Sequence, residues 1–158
     1  MWKVKRSKIH GTGVFATQKI PKNTDIIQYV GEKILKKEGD RRSSLRIKKF
    51  LNSKITGSVY IFELNKKFDI DGSPLYNKAR YINHSCSPNC EVDIKKGKIW
   101  ISSIRTIKKN EELSYDYGFE FDKDDYKDYK CRCNSKNCIG YIISKDDWPK
   151  YKRFVKKS

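Results

Sequence analysis

Long apolar runs are missing. The longest, Asp25-Ile-Ile-Gln-Tyr-Val30 and Lys98-Ile-Trp-Ile-Ser102, fall well short of the ~18 uncharged residues that cross a bilayer. The opening Met1-Trp-Lys-Val-Lys-Arg lacks the apolar stretch of a secretory signal. Cysteine is sparse and odd in number, at positions 86, 90, 131, 133 and 138, which argues against a disulfide framework. Internal repeats and low-complexity linkers are absent, and no composition shift cuts the 158 residues into two folded units. The expectation is one soluble domain in a reducing compartment.

What is present suffices for a core. Hydrophobic residues make up 37% and aromatics 13%, including ten Tyr, which excludes a wholly disordered chain despite 35% charged residues. Lys and Arg number 36 against 19 Asp and Glu, for a net charge of +17. Such a field attracts polyanions. It is also what an A+T-rich genome writes into a protein, since Lys, Ile and Asn abound and Ala is nearly absent. The densest basic stretch, 33–49, is the first candidate for a polyanion contact, or else a solvated helix face.

Short strand-like runs dominate, at 14–16, 26–30, 59–63, 68–70, 92–94, 99–103 and 112–115, each bounded by turn residues. Lys95-Lys-Gly-Lys98 reads as a hairpin turn. A helix over 43–51 puts Leu45, Phe50 and Leu51 near one face behind a Ser cap, and a second covers 146–155 with Pro149 in its first turn. The fold class is therefore mainly β, with few short helices. Residues 119–130, acidic and aromatic, read as a mobile connection to a Cys-rich tail.

In that tail Cys131-Arg-Cys133-Asn-Ser-Lys-Asn-Cys138 holds three thiols within eight residues. Tetrahedral zinc needs a fourth ligand, and only Cys86 and Cys90 remain, so a zinc would clip the tail onto the body; ordinary reduced thiols are the alternative. The block Ala79-Arg-Tyr-Ile-Asn-His-Ser-Cys-Ser-Pro-Asn-Cys90 is polar yet almost uncharged, as in a strand end whose side chains bond backbone or ligand. His84 with Cys86 has the residue types of a base and thiol nucleophile, but sequence neighbours seldom reach that geometry. Tyr115 and Tyr117 share one face of an extended chain, suiting either a core or a narrow pocket that grips a cationic end. Gly11-x-Gly13 is too little for a dinucleotide fingerprint.

The order of these pieces carries more than any one of them. Ile9-His-Gly-Thr-Gly-Val-Phe15, Tyr29-Val-Gly-Glu32, Tyr60-Ile-Phe62, Ile70-Asp-Gly72, Arg80-Tyr-Ile-Asn-His-Ser-Cys-Ser-Pro-Asn89, Glu111-Glu-Leu-Ser-Tyr-Asp-Tyr117 and the C-x-C-x4-C tail resemble the SET-domain protein lysine methyltransferases with their post-SET segment. The resemblance spans roughly residues 3 to 142. It implies small curved sheets around a knot-like crossing, with Asn83-His84 passing beneath 115–117, and a division into a SET domain (1–118), a connection (119–130), a post-SET zinc segment (131–147) and a basic tail (148–158).

By the same resemblance S-adenosylmethionine is the cofactor. His10, Thr12, Tyr60, Asn83 and His84 would hold it and Tyr141 and Ile142 would close over its adenine; Cys86 would join Cys131, Cys133 and Cys138 around one structural zinc, leaving Cys90 unassigned. Tyr117 would be the catalytic tyrosine, Tyr29 would line the lysine channel, and Tyr115, where the family carries Phe or Tyr, implies mono- or dimethylation. The implied partner is a histone, histone-like or ribosomal protein presenting a lysine, with nucleic acid as a further partner of the basic surface. The implied location is intracellular, nuclear if the substrate is eukaryotic chromatin and cytoplasmic if the source is bacterial. No cysteine-rich pre-SET segment precedes residue 3, and the 31–60 stretch is short and basic. A rim so basic repels a lysine-rich tail unless acids such as Asp122, Asp124 and Asp125 form a local groove. A catalytically silent SET-like module binding nucleic acid or chromatin is the alternative.

Overall fold

A computed structural model describes residues 1–53 and 59–156, and in 50–53 the backbone alone. Ten strands and two α-helices follow in order: β1 (Trp2–Arg6), β2 (Thr12–Ala16), β3 (Asp25–Tyr29), β4 (Glu32–Leu35), α1 (Lys36–Ser53), β5 (Ile61–Glu63), β6 (Phe68–Asp71), β7 (Asn83–His84), β8 (Cys90–Lys95), β9 (Lys98–Ser103), β10 (Ser114–Tyr115) and α2 (Trp148–Val155). The strands form four small sheets, ordered β1-β2, β10-β7, β3-β9-β8 and β4-β6-β5. The mainly β class read from the sequence is the class observed.

The described residues group into two compact units that interleave along the chain. One comprises Met1–Ile26, Tyr81–Glu91 and Ser102–Ser158, the other Ile27–Arg80 and Val92–Ile101. Because each unit is assembled from separate stretches, no composition shift marks it. The core of the first centres on Val14, Ile20, Ile82, Ile107 and Leu113, and that of the second on Ile27, Ile34, Leu64 and Ile99.

The first unit opens with an antiparallel hairpin running from Trp2↔Ala16 to Arg6↔Thr12. β1 escapes a sequence reading because it alternates Lys with exposed Val4, so no apolar face announces it. β8 and β9 are joined at Lys96 and Gly97, with φ of 49° and 71°, the left-handed pair of a two-residue hairpin turn. Residues 119–130 carry buried aromatics: Phe121 and Tyr126 pack with Ile143 in a small core against Tyr141, Trp148, Tyr151 and Phe154. α2, with Pro in its first turn, supplies three of those partners.

In the second unit α1 begins seven residues earlier than the expected 43–51, and the side chains of Phe50 and Leu51 lie outside the described residues. Ion pairs account for the extension. Lys36 pairs with Glu63 and with Asp69 at 3.2 Å, while Arg42 and Arg46, four apart and so on one face, both reach buried Asp71 at 2.8 and 2.9 Å. Arg42 also binds Glu32 and Glu38 at 2.6 and 2.7 Å. Burial pushes the Asp71 carboxyl up, but hydrogen bonds from Arg46 and Arg42 outweigh it and hold the group below the usual carboxylate range. Because that folded value is depressed, the stabilisation is complete at neutral pH. It begins to fall below the ordinary ~3.9 and is lost only as pH drops through the depressed value. Asp71→Ala, which leaves two guanidinium groups facing each other, is expected to lower unfolding free energy by about 3 kcal/mol. Urea denaturation at pH 7 measures it, and at a pH below the depressed value the gap between variant and wild type should shrink.

Candidate functional site

Within the first unit, β7 and β10 pair in parallel, Asn83 beside Ser114 and His84 beside Tyr115. The ladder continues through Ser85 N–H to Tyr115 O (3.2 Å) and Asn89 N–H to Ser114 O (3.2 Å). So the two segments implied to cross lie side by side. Asn83 and His84 are buried, and polar groups survive burial only when satisfied. Asn83 Nδ2 donates to Glu112 Oε1 (2.8 Å), Thr12 O (3.1 Å) and His10 O (3.3 Å). It thereby pins a loop in which His10, Gly11 and Thr12 remain exposed and available to a ligand.

Glu112 is the hub, and no sequence pattern singles it out. Ser7 Oγ donates to its carboxylate at 2.7 Å, Asn83 at 2.8 Å, and the carboxylate lies over Gly13, where a Cβ would sit 2.3 Å from Oε1. Gly13→Ala is expected to displace Glu112, free the loop and lower unfolding free energy by about 1.5 kcal/mol, near one charge-assisted hydrogen bond. Urea denaturation reads it, and Glu112→Gln, which keeps shape and one acceptor, should fall between variant and wild type.

The two phenols of 115–117 stand together, ring centroids 5.0 Å apart. Tyr117 O–H donates to Ile82 O at 2.9 Å. Its backbone N–H donates to His84 Nδ1 at 3.2 Å, which puts the imidazole proton on Nε2. Nε2 lies 3.8 Å from Cys86 Sγ, so the ring bridges the Tyr117 backbone and a thiol, rather than acting as the base of a nucleophile.

Cys86, Cys131, Cys133 and Cys138 present their sulfurs within 4.8 Å of one another, with Cys86 3.8 Å from both Cys131 and Cys138. Sulfurs about 2.3 Å from a tetrahedral zinc stand about 3.8 Å apart, so the set fits that ion. Backbone N–H groups of Cys86 and Gly140 point at the sulfurs of Cys133 and Cys138, both at 3.4 Å, as outer-shell donors to thiolates do. The hydrogen bond between Cys86 and Cys131 holds Cys86 far below the ordinary thiol range against burial, and the same bond, with burial, pushes Cys131 up. Four sulfurs this close do not all ionise without a cation among them. Cys90 stays outside the cluster, and burial pushes its thiol up to about 12.

Tyr141 packs on Tyr126 with centroids 4.8 Å apart, and Ile142 N–H donates to Tyr129 O at 2.7 Å. The remaining expected residues belong to the second unit. Tyr29 O–H donates to Tyr60 O at 3.0 Å, its ring lies 4.4 Å from Phe62, and Gly72 leaves it room, since a Cβ there would come within 2.2 Å of the ring. The Arg80 guanidinium covers the Tyr60 ring at 4.1 Å.

These features define a β-rich domain whose site forms where two short buried strands run parallel, beside a four-thiol centre. Residues 11–118 match the SET domain, and the chain belongs to that family. Over 141 residues it is 40% identical to a histone-lysine N-methyltransferase, H3 lysine-4 specific, of Aspergillus oryzae, covering 87% of this chain and 11% of that protein. Human histone-lysine N-methyltransferase 2D is 39% identical over 137 residues, covering 84% of the chain and 2% of that protein. The Saccharomyces cerevisiae H3 lysine-4 specific enzyme is 39% identical over 141 residues, 87% of the chain and 13% of the enzyme. The chain thus spans a small fraction of these relatives. No described helix is long and apolar enough to cross a membrane.

Proposed function

We propose that the chain is an S-adenosylmethionine-dependent protein-lysine N-methyltransferase acting on a histone or histone-like protein. The observation that carries this is the phenol pair Tyr115 and Tyr117 held against the buried Asn83-His84 strand, in a chain about 40% identical to named histone-lysine methyltransferases. S-adenosylmethionine, held by His10, Thr12, Tyr60, Asn83 and His84 and covered by Tyr141 and Ile142, supplies a methyl group on a sulfonium. The chain must then deliver a neutral amine. Lysine is ~10.4 in water, so a channel beside the two phenols lowers that value through desolvation.

Because Tyr117 gives its only proton to Ile82 O, its oxygen faces the reaction as an acceptor, orienting the amine by an N–H bond and favouring a polarised methyl. The extra hydroxyl of Tyr115 occupies space that a bulkier methylated amine needs, which favours mono- and dimethyl products. Cys86, Cys131, Cys133 and Cys138 hold one structural zinc. The SET domain covers 1–118, the connection 119–130, the zinc segment 131–147 and a basic tail 148–158. Nucleic acid is a further partner, drawn by the net charge of +17, and chromatin is the place of action in a eukaryotic setting.

Incubation with labelled S-adenosylmethionine and histones, ribosomal proteins or cell lysate is the test. Label in histone lysine, mostly mono- and dimethyl by mass spectrometry, is the expected result. Absence of transfer despite bound cofactor and zinc would replace the enzyme by a silent module binding nucleic acid or chromatin, and a dominant trimethyl product under limiting enzyme would overturn the role of Tyr115.

A further inference from the structure

The fold decides which of the many cations stay uncompensated. In the densest basic stretch of the sequence Lys36 and the three arginines are neutralised, Arg41 by Glu38, Arg42 by three carboxylates, Arg46 by Asp71 and Lys36 by Asp69 and Glu63, while Lys33, Lys37 and Lys48 show no ion pair among the described residues. Four further cations stand on two facing turns of the first unit. Ile20 and Ile107, both fully buried, form an antiparallel bridge with N–H to carbonyl distances of 2.9 Å in each direction. That register sets Lys19 directly opposite Lys108, with Lys22 and Lys109 close by in sequence. All four are exposed, and none has an ion pair among the described residues. Glu111, close by in sequence to Lys108 and Lys109, is taken by Arg105.

Like charges directly opposite on a ladder destabilise it, so this juxtaposition costs the free protein stability that a bound polyanion would restore. The turns are also held in place. Ser103 Oγ donates to Pro21 O at 2.6 Å and accepts from Thr24 N–H at 2.9 Å, while Glu111 Oε2 accepts from Lys108 N–H at 2.9 Å. The lysines therefore project from preorganised backbone, which keeps the entropy cost of binding low.

The surroundings select the kind of polyanion. The two turns, 17–24 and 104–110, contain no aromatic residue, so they offer neither a stacking platform for single-stranded bases nor the aromatic anchor typical of a protein interface. Point-charge ammonium groups alone match phosphates read without regard to sequence. We propose that Lys19, Lys22, Lys108 and Lys109 dock on the phosphate backbone of duplex DNA. The inference rests on the reading of nucleic acid as a partner, and names its face and its form.

Fluorescence anisotropy with a generic labelled duplex across a salt series tests it on the full chain. Two variants lose the same four charges: Lys19→Gln/Lys22→Gln/Lys108→Gln/Lys109→Gln, and a control, Lys33→Gln/Lys37→Gln/Lys48→Gln/Lys49→Gln. Thermal unfolding verifies that both fold. Each lysine that neutralises a phosphate contributes about 0.9 to the slope of log K against log salt, so the first variant should show a slope shallower by about 3 to 4. The control should keep nearly the wild-type slope. Equal changes in both variants would overturn the face while keeping the partner, since net charge alone would then explain binding. No binding by wild-type protein, or tighter binding to single strands than to duplex, would overturn the proposal.

Discussion

Tyr117→Phe is expected to lower kcat for methyl transfer about 100-fold, near 2.7 kcal/mol of transition-state stabilisation, with S-adenosylmethionine affinity nearly unchanged. Ring packing survives the substitution, because Tyr115 and His84 are met by the ring itself. The backbone N–H to His84 bond survives as well. Only the hydroxyl is removed, and with it an oxygen whose proton is committed to Ile82 O. The orphaned carbonyl costs about 1 kcal/mol of stability, seen as a small drop in melting temperature. Single-turnover rates beside equilibrium cofactor binding separate the two effects. A variant that loses cofactor affinity but not kcat would move Tyr117 from the reacting atoms to the cofactor pocket.

Much of this site is legible in the sequence alone. Asn83, His84, Tyr115 and Tyr117 stand out because polar residues crowd where charge is absent, and because i and i+2 share a face in an extended chain. The thiols of 131–138 stand out by spacing. What stays hidden depends on partners remote in sequence. Glu112 meets Ser7 across 105 residues, and α1 owes its early start to Asp69 and Asp71, carried on β6 beyond the helix. In the basic stretch, likewise, no local pattern shows that Arg42 and Arg46 are spent on buried Asp71. In residues 119–130 the charges are exposed, while Phe121 and Tyr126 among them fill a core with α2, a packing that the composition does not show.

Removal of zinc should produce the widest effect, because its four sulfurs join what the chain keeps far apart. Metal analysis is expected to find one zinc per chain. Three ligands lie in the tail, while Cys86 comes from the segment following the Asn83-His84 strand. Metal affinity of such sites is folding free energy, about 10 kcal/mol or more near neutral pH. Chelation, or Cys131→Ser, should therefore release 131–147 and loosen the Phe121–Tyr126–Ile143 core that the same tail completes, shifting Trp148 fluorescence and opening the segment to protease. The damage also reaches the phenols. His84 Nε2 faces Cys86 sulfur and its Nδ1 holds the Tyr117 N–H, so a thiolate fixed by zinc fixes the ring that sets the Tyr117 backbone. Methyl transfer should vanish with the metal and return on zinc addition. Thiols must lose protons to bind it, so zinc should leave progressively as pH falls. Full activity in a metal-free protein would show that the cluster neither shapes the cofactor cover nor holds Tyr117.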